Sequence, residues 1–170
     1  MQKFAAGMVT GDVLAWSPKA GWQPAVTHPL SGANGVEVSP DGRWLYVSEW
    51  SARRLWKFSL DGMSAPQSIV VDFLPDNLRW TEHGTLLLTG QNAIPANVFG
   101  CEARHVTCAM GFTVIEIDPN DLTSHLLLRG GDQHFGGGTG AIFVGRSLWV
   151  GSFRGDQIAR YIEITKKDGR

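Results

Sequence analysis

The feature that most constrains the fold is a layout that recurs three times along the chain. Each copy predicts an inner strand, a tight turn, and two or three further strands. The copies begin with the segments NGVEVSPDGRWLYV, NLRWTEHGTLLLTG and GAIFVGRSLWVGSF. Turns rich in Pro, Asp and Gly separate short runs of β-branched and aromatic residues, which is the pattern of antiparallel strands. The sequence therefore predicts an all-β protein built from repeated sheets.

The spacing of the copies fits a single repeat length. Their first strands are predicted to start near Gly35, Leu78 and Ala141. The first two starts lie 43 residues apart, and the last two lie 63 apart because an additional loop of 20 residues, 92–111, interrupts the second copy. A period of about 40–45 residues with four strands per unit is typical of β-propeller blades. A two-sheet sandwich with coincidental spacing is the alternative.

The strand pattern accounts for about three and a half blades. We expect a half blade at 5–28 and blades at about 34–72, 76–129 and 138–164, the last without its fourth strand. Residues 1–170 would then form a single partial propeller domain. Because repeat units bury their faces only against neighbours, an open arc would expose an apolar face at each end. We therefore expect the C-terminal part of a larger propeller, completed by missing N-terminal blades or by a partner chain.

Charge and hydropathy narrow the classes of partner. The formal net charge is −1, so the chain lacks the basic field that attracts nucleic acid. No apolar run approaches the roughly 20 residues that a membrane-spanning helix needs. We therefore expect neither nucleic acid binding nor a membrane span.

The two cysteines, Cys101 and Cys108, both lie in the inserted loop. Two thiols are too few for a four-ligand zinc site. They form either a disulfide that closes the loop or two free thiols. The disulfide would favour an exported or periplasmic location, because such bonds persist in oxidising compartments.

Polar side chains stand at the start of two predicted inner strands. Asn34 precedes the inner strand of one copy, and Asp76 and Asn77 precede that of the next. Inner strands line the channel of a propeller, so the three side chains should converge at one end of it. Their oxygens suit a hard cation such as calcium, which takes about six to eight oxygen ligands. The same residue types are common in turns, so the spacing alone leaves both interpretations open.

The segments SGANGVEVSPDGRWLYV, PDNLRWTEHGTLLLTG and GTGAIFVGRSLWVGSF resemble the six-bladed propellers of the paraoxonase, gluconolactonase (senescence marker protein) and strictosidine-synthase-like group. The resemblance runs from about Gly11 to Tyr161, and the pairing of ANG with PDN one blade later is its most specific part. It implies a calcium-dependent hydrolase that acts on a small-molecule lactone or aryl ester. It also implies Asn34, Asp76 and Asn77 as metal ligands and Asp76 as a general base.

The resemblance also implies what the chain does not supply. The family takes a glutamate ligand, another asparagine ligand and, in paraoxonase-like members, a catalytic histidine from its first blades. We therefore expect weak cation binding and little or no activity from these 170 residues alone. Two other functions remain open: a non-catalytic propeller module that binds a ligand or protein on the same face, and a strictosidine-synthase-like enzyme, whose catalytic glutamate has no position that we can assign.

Two histidines are further candidates for proton transfer, because imidazole titrates near neutral pH. His134 lies in GDQHFGGGTGA, just before an inner strand, and His105 lies in the inserted loop. Each has the simpler interpretation of a solvated loop histidine. Trp50 and Phe153 end second strands and are expected to reach the same end of the channel.

Overall fold

The computed structural model describes residues 3, 6, 8–101, 107–131 and 133–162. Within these residues, thirteen strands form four antiparallel sheets, and a short helix, Pro95–Gly100, lies in the inserted loop. The strands are β1 (Leu14–Ser17), β2 (Gly21–Pro24), β3 (Ala33–Val38), β4 (Trp44–Glu49), β5 (Arg54–Ser59), β6 (Gln67–Val70), β7 (Leu74–Trp80), β8 (Leu86–Asn92), β9 (Gly111–Ile117), β10 (Ser124–Gly130), β11 (Gly138–Val144), β12 (Ser147–Ser152) and β13 (Ala159–Ile162).

Each sheet follows the order of the chain, hairpin after hairpin. Strands β1 and β2 form a two-stranded sheet, β3–β6 and β7–β10 form two four-stranded blades, and β11–β13 form a three-stranded blade. The first strands of the three blades are neighbours, because β7 contacts both β3 and β11. This radial arrangement confirms the prediction of an incomplete β-propeller arc and excludes the two-sheet sandwich.

The apolar cores lie between neighbouring blades. One core joins Tyr46 and Leu55 of the β3–β6 blade to Leu86 and Leu88 of β8. A second core packs Leu87 of the same strand against the β11–β13 blade. Burying each of these leucines stabilises the fold by roughly 1.5–3 kcal/mol. The LLL run of β8 is therefore apolar on both faces, because each face of the strand meets another blade.

Apolar side chains are exposed at both ends of the arc, as expected for blades without a neighbour. Trp16 and Trp22 pair across β1 and β2 with 58% and 67% of their surface exposed. Val144 and Ile162 are exposed on the β11–β13 blade. The outer faces of the two end sheets are therefore apolar, like the faces buried between blades, but they are exposed to solvent.

The inserted loop is closed on itself by a disulfide and packs against the rest of the protein through its short helix. A disulfide joins Cys101 and Cys108, with their Cα atoms 6.0 Å apart. Val98 of the short helix packs against Trp50 and Leu74. Of the two cysteine states left open by the sequence, the structure has the disulfide, which is compatible with an oxidising compartment. His105 lies outside the described residues.

No helix among the described residues is long and apolar enough to cross a membrane.

Candidate active site at the start of the inner strands

All three inner strands begin earlier than predicted, and each has a shift of register at its start. The shifts occur in the pairing of β3 with β4, of β7 with β8, and of β11 with β12. Such irregularities redirect side chains and are frequent beside functional sites. The residues inside the shifts are Asn34 and Gly35 in β3, Asp76 and Asn77 in β7, and Thr139 in β11.

The Asp76 carboxylate is the centre of the polar groups at this end of the channel. Its Oδ1 atom accepts a hydrogen bond from Nδ2 of Asn77 at 3.0 Å. Its Oδ2 atom accepts one from Nε2 of Gln91 at 2.8 Å. The Asn34 side chain donates a further bond to the carboxylate. The structure thus brings together Asn34, Asp76 and Asn77, and adds Gln91; we call these four residues the Asp76 cluster.

Burial dominates the electrostatics of the Asp76 cluster. It raises the pKa of Asp76 to about 6, although the hydrogen bonds from Gln91 and Asn34 act in the opposite direction. Desolvation disfavours a carboxylate, whereas donors that point at it favour the charged form. Without a bound cation, the pKa of Asp76 therefore lies closer to neutral pH than that of an ordinary aspartate.

The contact between β3 and β7, which we call the first junction, brings two backbones close together. Ser48 Oγ accepts a hydrogen bond from the Gly35 amide at 2.6 Å and donates one to the Asp76 carbonyl. A Cβ atom on Gly35 would lie 2.3 Å from the Asp76 oxygen and 2.8 Å from Cα of Asn77. Glycine is therefore required at this position, and the ANG motif reflects close packing as much as a ligand.

The contact between β7 and β11, the second junction, is more open. Asn77 Nδ2 and Gln91 Nε2 donate to the carbonyls of Thr139 and Gly138, both at 3.1 Å. A Cβ atom on Gly140 would be 3.7 Å from its nearest neighbour, Cβ of Asn77. A cavity of about 480 Å³ opens here, lined in part by Asn77, Arg79, Gly140, Ile142 and Trp149.

Thr89 and Ser48 also show that the second junction is more open than the first. Both residues lie opposite the register shift of their own blade, on the second strand. Ser48 bridges the first junction, whereas the Thr89 hydroxyl is fully buried and has no hydrogen-bond partner among the described residues. The hydroxyl that fixes one junction is thus unused at the other.

Gln91 could not be identified from the sequence, because a single glutamine after an apolar run has no distinctive spacing. The available signal was its position: it is the second-last residue of β8 and pairs with Leu74, two residues before Asp76. His134 is exposed, and its predicted role in proton transfer stays a prediction. Trp50 reaches this end of the channel but is buried.

The side-chain oxygens of the Asp76 cluster are of the type that a hard cation binds. Asp76 offers a carboxylate, and Asn34 and Asn77 offer amide oxygens. Asn34 and Asn77 both direct their amide nitrogens at Asp76, so their oxygens would coordinate the same cation only after the amides turn over. Three side chains fall short of about six to eight ligands, which leaves room for water or a partner. Among the described residues, no group of three or more His, Cys, Asp or Glu is placed to hold a metal.

Comparison with known sequences gives one match to a family model. The model of the SMP-30/Gluconolactonase/LRE-like region matches residues 1–88, which include Asn34, Asp76 and Asn77. This is slightly more than half of the chain. No curated protein sequence matches it.

Solved structures match at low identity. The luciferin-regenerating enzyme has a TM-score of 0.57 and 18% identity, covering 85% of this chain and 44% of its own. A gluconolactonase from Xanthomonas campestris has a TM-score of 0.57 and 16% identity, covering 89% and 50%. The periplasmic gluconolactonase of Pseudomonas aeruginosa has a TM-score of 0.55 and 16% identity, covering 92% and 44%. These matches show the fold, and the chain spans about half the length of each structure.

Proposed function

From the premise that this chain belongs to the SMP-30/Gluconolactonase/LRE-like family, we propose that the Asp76 cluster is the cation-binding and proton-accepting part of a lactone or ester hydrolase site. The observation that carries the proposal is the half-buried Asp76 carboxylate, which gathers Asn34, Asn77 and Gln91 at the channel end. Turn formation does not explain this gathering, because the residues lie in inner strands of two blades and at the end of β8.

The proposed cation is calcium, held by Asp76 with Asn34 and Asn77. When bound, it would polarise the carbonyl of the substrate and stabilise the oxyanion that forms on attack. The chain's own residues do the rest. Asp76 accepts a proton from the attacking water.

The cavity of the second junction supports a small-molecule substrate. It begins at Asn77 of the cluster and continues along mostly apolar side chains, with Arg79 on one wall. A lactone or ester placed there would contact Asn77, which is bonded to the carboxylate. The apolar lining would exclude water from the non-reacting part of the substrate.

The test is hydrolysis of simple lactones and aryl esters, with calcium and with a chelator. We expect slow hydrolysis that the chelator abolishes. Asp76→Asn should also abolish it, since this variant lacks the proton acceptor. Asp72→Asn is the matched control: it removes the same charge four residues away, from an exposed carboxylate paired with Arg129. Hydrolysis unaffected by both chelator and Asp76→Asn would contradict the proposal. Calcium binding without turnover would support the cation site and, because little activity is expected from these 170 residues alone, would leave the assay to be repeated with the missing blades restored.

We also propose that the protein works in an oxidising compartment, consistent with its disulfide. Thiol titration of the denatured, unreduced protein should find no free thiol. Two free thiols in protein isolated from its natural source would contradict this location.

A further inference from the structure

We propose that Gln91, oriented by Trp50, is a positioning residue of the Asp76 cluster that fixes the carboxylate for cation binding. The inference deepens the proposed function and rests on its cation site. Its basis is a continuous chain of hydrogen bonds. Trp50 Nε1 donates to Gln91 Oε1 at 2.8 Å, and Gln91 Nε2 donates to Asp76 Oδ2 at 2.8 Å.

The indole determines which way the Gln91 amide faces. A tryptophan ring nitrogen is a donor only, so the group that it meets must be the amide oxygen. The amide nitrogen therefore has to face Asp76 and the Gly138 carbonyl, both of which are acceptors. Turned the other way, the amide would place its NH2 against the indole N–H and its oxygen against a carboxylate. Three neighbours on three different strands or loops thus enforce one orientation.

Burial makes this orientation persistent. Gln91 is fully buried and Trp50 is 3% exposed, so water does not compete for either bond. Leu74, Val98 and the Phe99 ring pack against the indole, with the two ring centroids 5.6 Å apart. A buried amide with all its donors used has little freedom to rotate.

The consequence concerns the two oxygens of Asp76. Gln91 occupies Oδ2 and holds the plane of the carboxylate. Oδ1 is left on the side of Asn77, where the proposed ligands lie. Partners that orient a ligating carboxylate typically change metal affinity by about 10–100-fold when removed. Trp50 also connects the inserted loop to the Asp76 cluster, because its ring packs on the short helix of that loop.

The first test is a calcium titration followed by NMR of tryptophan indole N–H groups in the 170-residue chain. We expect the Trp50 signal to move with the same midpoint as the side-chain amide signals of Asn34 and Asn77, because calcium at Asp76 alters the bond to Gln91. The Trp80 indole, which donates to the Val38 carbonyl at 2.8 Å, is the internal control and should move little. If the Asn amides move and Trp50 does not, the inference fails while the cation site stands. If none of them moves, the cation site and this inference both fail.

The second test is a double-mutant cycle on calcium affinity. Trp50→Phe keeps an aromatic ring and removes the indole N–H; we expect about three- to tenfold weaker binding. Gln91→Met should weaken it by about tenfold or more. Because Trp50 acts on the carboxylate through Gln91, Trp50→Phe should have no further effect in the Gln91→Met background. Trp80→Phe, which loses a bond of equal length elsewhere, should bind calcium like the unmodified chain.

A purely structural role gives a different result. The two substitutions would then lower stability, less than additively because the residues share a hydrogen bond, and leave the calcium affinity of the folded protein unchanged. Unchanged affinity in Trp50→Phe, or effects on affinity that multiply in the double variant, would overturn the proposal. If Gln91→Met does not fold, the comparison of Trp50→Phe with Trp80→Phe decides alone.

Discussion

The first and second junctions hold the Asp76 strand in different ways. At the first junction, β3 and β7 approach so closely that Gly35 cannot carry a side chain, and Ser48 joins their backbones. At the second junction, Gly140 has room for a side chain, the Thr89 hydroxyl is unpaired among the described residues, and a cavity opens. One side of the strand therefore fixes the position of the carboxylate, and the other leaves space beside it for a substrate.

The largest expected difference comes from adding a methyl group at each junction. Gly35→Ala forces Cβ into the Asp76 carbonyl and should destabilise the fold by about 3 kcal/mol, at the upper end of typical overpacking effects. Gly140→Ala makes ordinary contacts and should change stability by less than about 0.5 kcal/mol. Urea unfolding measures both. Equal losses would mean that the two junctions are packed alike.

The pH dependence of stability isolates the burial of Asp76. Its pKa rises to about 6 in the folded chain from an ordinary 3.8, so the folded state holds this proton more tightly than the unfolded state. This contribution to stability is therefore present at low pH and is lost as pH rises from about 4 to 6, a change of about 2–3 kcal/mol.

The unfolding free energies of the unmodified chain and of Asp76→Asn, measured at pH 4.5 and pH 7, test this sign. Other carboxylates, such as Asp41 and Asp61, have lowered pKa values and favour stability at neutral pH. These carboxylates contribute equally to the stability of both proteins, so their contribution cancels when the two unfolding free energies are subtracted. The unfolding free energy of the unmodified chain minus that of Asp76→Asn should be smaller at pH 7 than at pH 4.5. If this difference does not vary with pH, Asp76 is effectively solvated.

Smaller single effects are expected from the two hydroxyls. Ser48→Ala leaves the Gly35 amide and the Asp76 carbonyl without their bridging partner and should cost about 2 kcal/mol. Thr89→Val removes a buried hydroxyl that has no described partner and should be neutral or stabilising by up to about 1 kcal/mol. Thermal melts compare the pair. A loss in Thr89→Val similar to that in Ser48→Ala would reveal a second bridge at the second junction.

Much of this architecture could be predicted from the sequence, because the 43-residue repeat and the alternation of strands and turns are local signals. The gathering of Asn34, Asp76 and Asn77 followed from their equivalent places in the repeat. The early starts of the inner strands were missed, because Pro, Asp, Asn and Gly favour turns and here occupy register shifts inside strands. Gln91 and Thr89 were missed because their roles depend on a neighbouring blade.

Cation binding by the Asp76 cluster is best measured through its effect on stability. Thermal melts at pH 7, with calcium and with a chelator, should be made on the unmodified chain, Asp76→Asn and Asp72→Asn. A cation that binds the folded state alone stabilises it by about 2.7 kcal/mol at a hundredfold excess over Kd. The account predicts that calcium raises the melting temperature of the unmodified chain and of Asp72→Asn but not of Asp76→Asn. Equal stabilisation of all three proteins, or of none, would contradict it.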